Sequence, residues 1–302
     1  MAVAPARGVP AGAPRRRGSA LPYVLVAPAV LLFLGFVVAP AGYALVLSVQ
    51  SRKVSGGLLG TGTTMVFSGL ANYQAVLGDV ELWRSALRML LVAAIAIPGT
   101  VGLALLFALM LDVPRTRLAR FSRLAIFVPY AVPGVIATLM WGFLYLPATS
   151  PIGGDSIDFF SPVGVFGSVA NIAVWGAAGF NMIVIFTALR ALPPEIYEAA
   201  RLDGCSELQM ALRIKVPLVR PAVVMCSLFS ALAALQLFNE PNTLRPLSNA
   251  ISSTWVPLMK IYNDAFVDAD LPRAAATSVV FTVIALGVSF VAARLIQRRV
   301  AG

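Results

Sequence analysis

The sequence predicts an all-α, polytopic membrane protein with six transmembrane helices, and three observations carry that reading. The 302 residues are 59% hydrophobic and 12% charged, with a mean hydropathy of +0.86, whereas a soluble domain carries about 25% charged residues. Six charge-free runs are apolar and long enough to cross a bilayer, which takes about 20 residues of helix. The basic residues concentrate in alternate loops, as the positive-inside rule requires. This composition excludes a soluble globular domain, a disordered chain and a collagen-like repeat. With no histidine and two cysteines, Cys205 and Cys226, a histidine metal site or a disulfide scaffold has little support, and both thiols read as free.

The spans fall near residues 21–48, 87–111, 124–146, 165–189, 221–240 and 274–296. Backbone groups in hydrocarbon must be bonded internally, so each is a helix. The first could be a cleavable signal, and Arg15, Arg16 and Arg17 before it fit that. Its apolar stretch is about twice the 7–15 residues of a signal, so it reads as an anchor. Residues 1–18 read as a disordered basic tail, and 19–302 as the membrane domain. Val54 to Thr64 is rich in Gly, Ser and Thr and reads as turn and loop. Residues 246–259 are too short, and too rich in Ser, Asn and Thr, to span.

Arg7, Arg15, Arg16 and Arg17 precede span 1. Arg115, Arg117, Arg120 and Arg123 follow span 2. Arg190, Arg201, Arg213, Lys215 and Arg220 follow span 4, and Arg294, Arg298 and Arg299 end the chain. Only seven basic residues lie in the other loops. Both termini are therefore expected in the cytoplasm. The net charge of +10 reflects helix ends beside anionic lipid rather than a nucleic-acid face.

The span interiors hold no Asp, Glu, Lys, Arg or His; Glu240 sits at an outer end. This argues against proton coupling, ion pumping and voltage sensing, which place ionisable groups inside membranes. A wall of hydroxyl, amide and aromatic groups suits a neutral, hydroxylated substrate. Pro98, Gly102, Pro129, Pro133, Gly134 and Pro221 read as ordinary kinks and close packing. A sharper reading has Pro129 to Gly134 break span 3 beside a cavity.

Residues 190–221 are polar and densely patterned. Pro193-Pro194 opens a helix, with Glu195 and Glu198 near its positive end. Glu198 is spaced to pair with Arg201 or brace against Leu202. Gly204 follows as a C′ residue. Ser206 and Gln209 form a capping box for a second helix, which Pro217 is expected to stop. The pattern specifies two short amphipathic helices about a glycine hinge. They serve either as a membrane-surface pair or as a protein docking element.

Glu198-Ala199-Ala200, with Gly204 after three further residues and Ile214 and Val216-Pro217 beyond, resembles the EAA motif of permease subunits in binding-protein-dependent ABC importers. Asp203 and Arg220-Pro221 resemble the sugar-importer branch, the maltose and glycerol-3-phosphate type of first permease. Cys205 stands where alanine is usual, and Val216 where leucine is usual. Phe67 to Tyr73 resembles the outer-loop signature Phe-x-Gly-Leu-x-Asn-Tyr. Residues 127–145, Gly179 to Met182 and Leu237 to Glu240 resemble the third, fourth and fifth spans. The resemblance covers residues 20–297.

The resemblance implies a type I ABC importer permease in the bacterial plasma (inner) membrane. It implies a second homologous permease chain forming a heterodimer, two ATPase subunits at the cytoplasmic face and an extracytoplasmic substrate-binding protein. Glu198, Ala199, Ala200, Asp203, Gly204, Ile214 and Pro217 would couple the chain to the ATPases. The chain holds no phosphate loop, so ATP and Mg belong to those partners, and it is not itself an enzyme. Tyr130, Trp141, Asn181, Asn239 and Glu240 are candidates for a sugar pathway, where rings stack on sugar faces and amides bond hydroxyls; packing is the plainer role for each. The rival is a stand-alone secondary transporter of a neutral solute. A membrane enzyme would need clustered acid or metal-binding groups, and Asp264, Asp268 and Asp270 read as a solvated loop.

Overall fold

A computed structural model of the chain describes residues 21–55, 62–113, 119–151 and 157–300. The basic tail, Arg115 and Arg117 lie outside the described residues. The described chain is mostly helical and holds four helices able to cross a membrane singly, and two bent pairs that can each make a further span.

Span 1 comprises α1 (Leu21–Phe33) and α2 (Ala39–Ser48), joined by a π-turn at Leu34–Val38. The wide turn immediately precedes Pro40, which lacks an N–H and whose ring crowds the carbonyl four residues back. A π-turn shifts those carbonyls and lets the helix run on. None of the apolar window of this span is buried by the rest of the chain, as suits side chains facing lipid.

The loop expected after span 1 contains an antiparallel hairpin, β1 (Gln50–Ser55) and β2 (Gly62–Phe67), with Gln50 opposite Phe67 and Arg52 opposite Met65. The β-branched and aromatic run through Val66 and Phe67 favours a strand, a signal outweighed in the sequence by the glycines before it. Asn72, on α3 (Ala71–Leu77), donates to the carbonyls of Ser48 (2.9 Å) and Gln50 (2.6 Å), tying hairpin to span.

Span 2 is α4 (Val80–Leu111), which starts seven residues earlier than hydropathy suggests. Its early charges are neutralised: Arg88 pairs with Glu81 at 2.8 Å, and Thr254 donates to Glu81 at 3.0 Å. Ala96, Thr100, Ala104 and Ala108 recur every four residues, all buried. This small-residue stripe lets α7 (Gly164–Arg190) approach closely. Two buried clusters result. One centres on Met89, Val169, Leu244 and Trp255, the other on Ala104, Met182, Ile185 and Leu189.

Span 3 is not one straight helix. It divides into α5 (Ala119–Ala131) and α6 (Gly134–Tyr145), bent by 98° at Val132-Pro133. Pro133 removes a donor and disfavours helical geometry before it.

After α7 come α8 (Pro194–Leu202), α9 (Glu207–Met210), a π-turn at Ala211–Lys215, α10 (Val216–Leu218) and α11 (Arg220–Leu235). Pro217 does not stop this helix, contrary to expectation. The π-turn precedes it as the first precedes Pro40, and the chain instead bends by 68° at Val219. Span 5 ends at Leu235 rather than 240, so Asn239 and Glu240 open the separate α12 (Asn239–Leu244). Then α13 (Pro257–Tyr262), a π-turn at Asn263–Val267 and α14 (Leu271–Val300) complete the chain. The loop read as solvated is not wholly so. Asp264 is 4% exposed and paired with Lys260, while Asp270 accepts from the Arg273 N–H at the start of α14.

Candidate functional site: a central cavity and a lateral helical hairpin

The break in span 3 opens beside a cavity of about 290 Å³ between α4, α5, α6, α7, α11 and α12. Most of its wall is apolar, from Val92, Ala96, Ile97 and Ile172 among others. The polar groups are Thr100, Tyr130, Ser230, Gln236, Asn239 and Glu240. Tyr130 sits in the last turn of α5 and stacks on Phe180 of α7, with ring centroids 5.0 Å apart. Such a pair fixes ring orientation while leaving the phenol edge free to bond. The Ser230 hydroxyl is buried and has no partner. Gln236, Asn239 and Glu240 reach the wall because α11 ends at Leu235 and the chain turns before α12 begins.

Of the pathway candidates, Tyr130, Asn239 and Glu240 line this cavity, and Trp141 and Asn181 stand outside its lining. Trp141 packs on Tyr145 and Trp175, at 5.6 and 6.0 Å between centroids. Asn181 is 3% exposed, donates to the Ala177 carbonyl at 2.9 Å, and accepts a thiol contact from Cys226 at its own carbonyl. Thr100, Ser230 and Gln236 were not singled out from sequence. Scattered Ser, Thr and Gln in apolar spans carry no motif, and only the break in span 5 brings Gln236 to the wall.

The second feature is the helix pair α8–α9. Gly204 has φ +78°, the left-handed cap that glycine adopts freely. The Ser206 hydroxyl accepts from the Gln209 N–H (3.3 Å), and the Gln209 side chain accepts from the Ser206 N–H (2.9 Å), completing the capping box. Arg201 pairs across the bend with Glu207 at 3.3 Å rather than with Glu198. Glu198, Ala199, Asp203, Gly204 and Pro217 are exposed, Ile214 is half-buried, and Ala200 is buried against the bundle. Leu202, Leu208 and Leu212 are exposed at 90%, 69% and 59%. The pair therefore exposes several apolar and small side chains that no described residue of this chain covers.

Beneath it, Lys215 Nζ meets Asp112 Oδ2 at 2.6 Å, both buried. Lys215 also sits 4.9 Å over the Tyr197 ring, and the Tyr197 hydroxyl donates to the Leu189 carbonyl at 3.2 Å. Burial first, then the Asp112 carboxylate, push the Tyr197 phenol above its ordinary range, so it stays a neutral donor. With Glu198 and Arg201 these groups line a cleft of about 250 Å³. The scarcity of lysine was the available signal: the chain has three, and Lys215 and Lys260 are both buried.

Residues 100–302 match the family of binding-protein-dependent transport system inner membrane components. The chain belongs to that family. As an inner membrane component of a binding-protein-dependent transport system, it is a multi-pass transport subunit and not an enzyme. It is 29% identical, over 77% of its own length and 75% of the relative's, to the trehalose transport system permease protein SugA of Mycobacterium tuberculosis. It is 27% identical to the sulfoquinovosyl glycerol transport system permease protein SmoG of Agrobacterium fabrum, covering 92% and 91% of the two chains. It is 29% identical to the sn-glycerol-3-phosphate transport system permease protein UgpA of the same organism, covering 93% and 96%. Its fold matches a chain of a bacterial alginate ABC transporter solved with an alginate-bound periplasmic protein, with a TM-score of 0.77 at 20% identity over 93% and 95% of the chains. Among the described residues no group of His, Cys, Asp and Glu could hold a metal ion.

Proposed function

We propose that this permease imports a neutral, polyhydroxylated solute, a sugar or close relative, through the cavity beside the span 3 break. The observation that carries the reading is the chemistry of that wall. Hydroxyl, amide and phenol groups converge on an apolar pocket, Glu240 is its one ionisable side chain besides Tyr130, and no basic side chain is among its described lining residues. Sugars need hydrogen-bond partners at several points and an apolar surface for their ring faces. An anionic cargo would find no cation among the described lining residues to offset its charge.

In this reading both termini and the α8–α9 pair face the cytoplasm. A second homologous permease chain completes the translocation path, a substrate-binding protein delivers cargo from outside, and two ATPase subunits bind and hydrolyse Mg–ATP. The exposed face bearing Glu198, Ala199 and Asp203 enters a groove of one ATPase. The hinge at Gly204 sets the angle of the second helix, on which Ile214 and Pro217 lie. Closure of the ATPase pair moves the helices as a unit, and the cavity alternates between outward and inward access. Tyr130, Asn239 and Glu240 contact the cargo, while Trp141 and Asn181 hold the helices that frame the path.

The test is uptake into vesicles carrying the assembled complex, with labelled trehalose and other neutral disaccharides set against labelled sn-glycerol 3-phosphate. ATP-dependent uptake of a neutral disaccharide, unaffected by excess sn-glycerol 3-phosphate, is expected. Uptake of the phosphate ester alone would reverse the cargo assignment, and uptake without ATP or partner chains would favour a stand-alone transporter.

A further inference from the structure

The helix α4 is held at both ends in the same manner. Asp79 is its N-cap and Asp112 its C-cap. Asp79 meets Lys260 of α13 at 2.9 Å and Arg273 of α14 at 2.8 Å. Asp112 meets Lys215, in the π-turn after α9, at 2.6 Å. Both lysines are buried, 5% and 4% exposed. Between the clamps the helix is unbroken for 32 residues, about 48 Å at 1.5 Å per residue. Its middle supplies Val92, Ala96, Ile97 and Thr100 to the cavity wall.

The inner clamp is placed against local preference. A carboxylate at a helix C-terminus faces the negative end of the macrodipole, and a buried carboxylate is tolerated only when paired. Asp112 gains neither helix stability nor solvation at this position. What it gains is a rigid bond to the segment that carries the exposed α8–α9 face. The bond is reinforced from below by Tyr197 of α8, which touches Lys215 and is itself tied to α7 through the Leu189 carbonyl. The chain reaches α7 and α11 from the helix pair through the backbone. Besides the packing of α4 on α7 and α11, this ion pair ties the segment after α9 directly to the end of α4.

We infer that Asp112 and Lys215 are positioning residues that make α4 a strut, carrying displacement of the α8–α9 pair into the cavity wall and on to the Asp79–Lys260–Arg273 cluster at the far end. The inference rests on the proposed coupling of α8–α9 to an ATPase. Without the pair, the ATPase still grips the helices, but α4 follows them only through its packing on α7 and α11, and less tightly.

The experiment uses the intact complex in vesicles, with Cys205 and Cys226 replaced by Ser and spin labels on cysteines introduced at Leu106 of α4 and Glu195 of α8, both exposed. Three forms are compared: the parent, Lys215→Met, and the exchange Asp112→Lys with Lys215→Asp. The exchange keeps the bond and reverses its sense. The expected result is one narrow label–label distance in the parent, unchanged by Mg–ATP, and a distance that broadens with Mg–ATP in Lys215→Met. Lys215→Met should keep its ATP hydrolysis, while disaccharide moved per ATP falls by about tenfold, within the range of site-to-site coupling energies. The exchange should recover the narrow distance and most of the ratio. If Lys215→Met keeps the parent's transport ratio, or loses hydrolysis and transport in equal measure, the strut is refuted and the pair serves folding alone. A parent distance that shifts with Mg–ATP also refutes it. Should the parent complex hold no ATPase, the coupling reading itself fails, and the label distances are not needed to show it.

Discussion

Lys215 Nζ and Asp112 Oδ2 lie 2.6 Å apart although their residues are 103 positions apart in sequence. Both are withdrawn from solvent, so each makes the other tolerable. Removing one partner of such a pair leaves an uncompensated buried charge and costs about 3–5 kcal/mol, whereas replacing both with apolar or neutral groups is often near neutral. Lys215→Met is therefore expected to lower the thermal midpoint of the purified protein sharply, and Asp112→Asn with Lys215→Met to recover most of the loss. Unfolding of the two variants in matched detergent checks this; equal losses would show that an unpaired buried carboxylate is not what destabilises Lys215→Met.

Gly204, the proposed hinge, is a position where backbone geometry decides the residue. Its φ is +78°, and a Cβ there would meet nothing within 4 Å. Space is free, so any penalty comes from the left-handed backbone alone. Asn adopts that region readily and a β-branched residue does not. Gly204→Asn is expected to leave uptake close to the parent, while Gly204→Val costs about 1–2 kcal/mol of local stability and lowers uptake without preventing membrane insertion. Identical uptake by the two variants would remove the hinge from the mechanism.

Gly179 is set by contact instead. A Cβ there would fall on the Ile126 carbonyl oxygen and within 2.9 Å of Phe127 Cα. The obstacle is the α5 backbone, which cannot rotate aside as a flexible side chain does. Gly179→Ala is expected to push α5 from α7, disturb the nearby Tyr130–Phe180 stack and cost about 1–3 kcal/mol or more, as overpacking does. Thermal unfolding with a structure of the variant checks both effects, and an unshifted α5 would refute the argument.

Much of this was legible in the sequence because the bilayer imposes a strong, local rule. Charge-free length marks a candidate span whatever its neighbours do, and the charge-free runs fall on the four long helices and on the two bent pairs that can each make a further span. The α8–α9 pair was legible because capping is local: Ser206, Gln209 and Gly204 act within a turn of themselves. What sequence missed is long-range or depends on a helix irregularity. Pro217 reads as a stop, and only the preceding π-turn lets the helix continue. Nothing near Asp112 names Lys215 as its partner. Trp141 and Asn181 read like cavity groups by residue type, and their packing against Trp175 and beside Cys226 appears only when α6, α7 and α11 are assembled.

The two carboxylates that share Lys260 are expected to respond oppositely to pH. Burial raises the Asp79 carboxyl, but hydrogen bonds from Lys260 and Arg273 outweigh it and hold it below its ordinary 3.8. Its folded value lies under its unfolded one, so its contribution is present above pH 3.8 and fades as pH falls through the lowered value. Burial also raises Asp264, and Lys260 only partly offsets this, so Asp264 ends above 3.8. Asp79 also accepts from Arg273 and from the Glu81 N–H, whereas Asp264 is more deeply buried and faces the Asp268 carboxylate, which accounts for the opposite directions. The fold thus favours protonated Asp264, and that contribution is present below pH 3.8 and lost as pH rises through the raised value. At pH 7, Asp79→Asn is expected to destabilise the protein by about 3 kcal/mol, as breaking a buried pair does, and Asp264→Asn to leave it unchanged or firmer. Below pH 3.8 the Asp79→Asn deficit should shrink, because the parent carboxylate is then losing its charge too. Thermal midpoints of the parent and both variants from pH 7 to pH 3 test the sign of each, and a deficit for Asp79→Asn that grows on acidification would overturn the assignment.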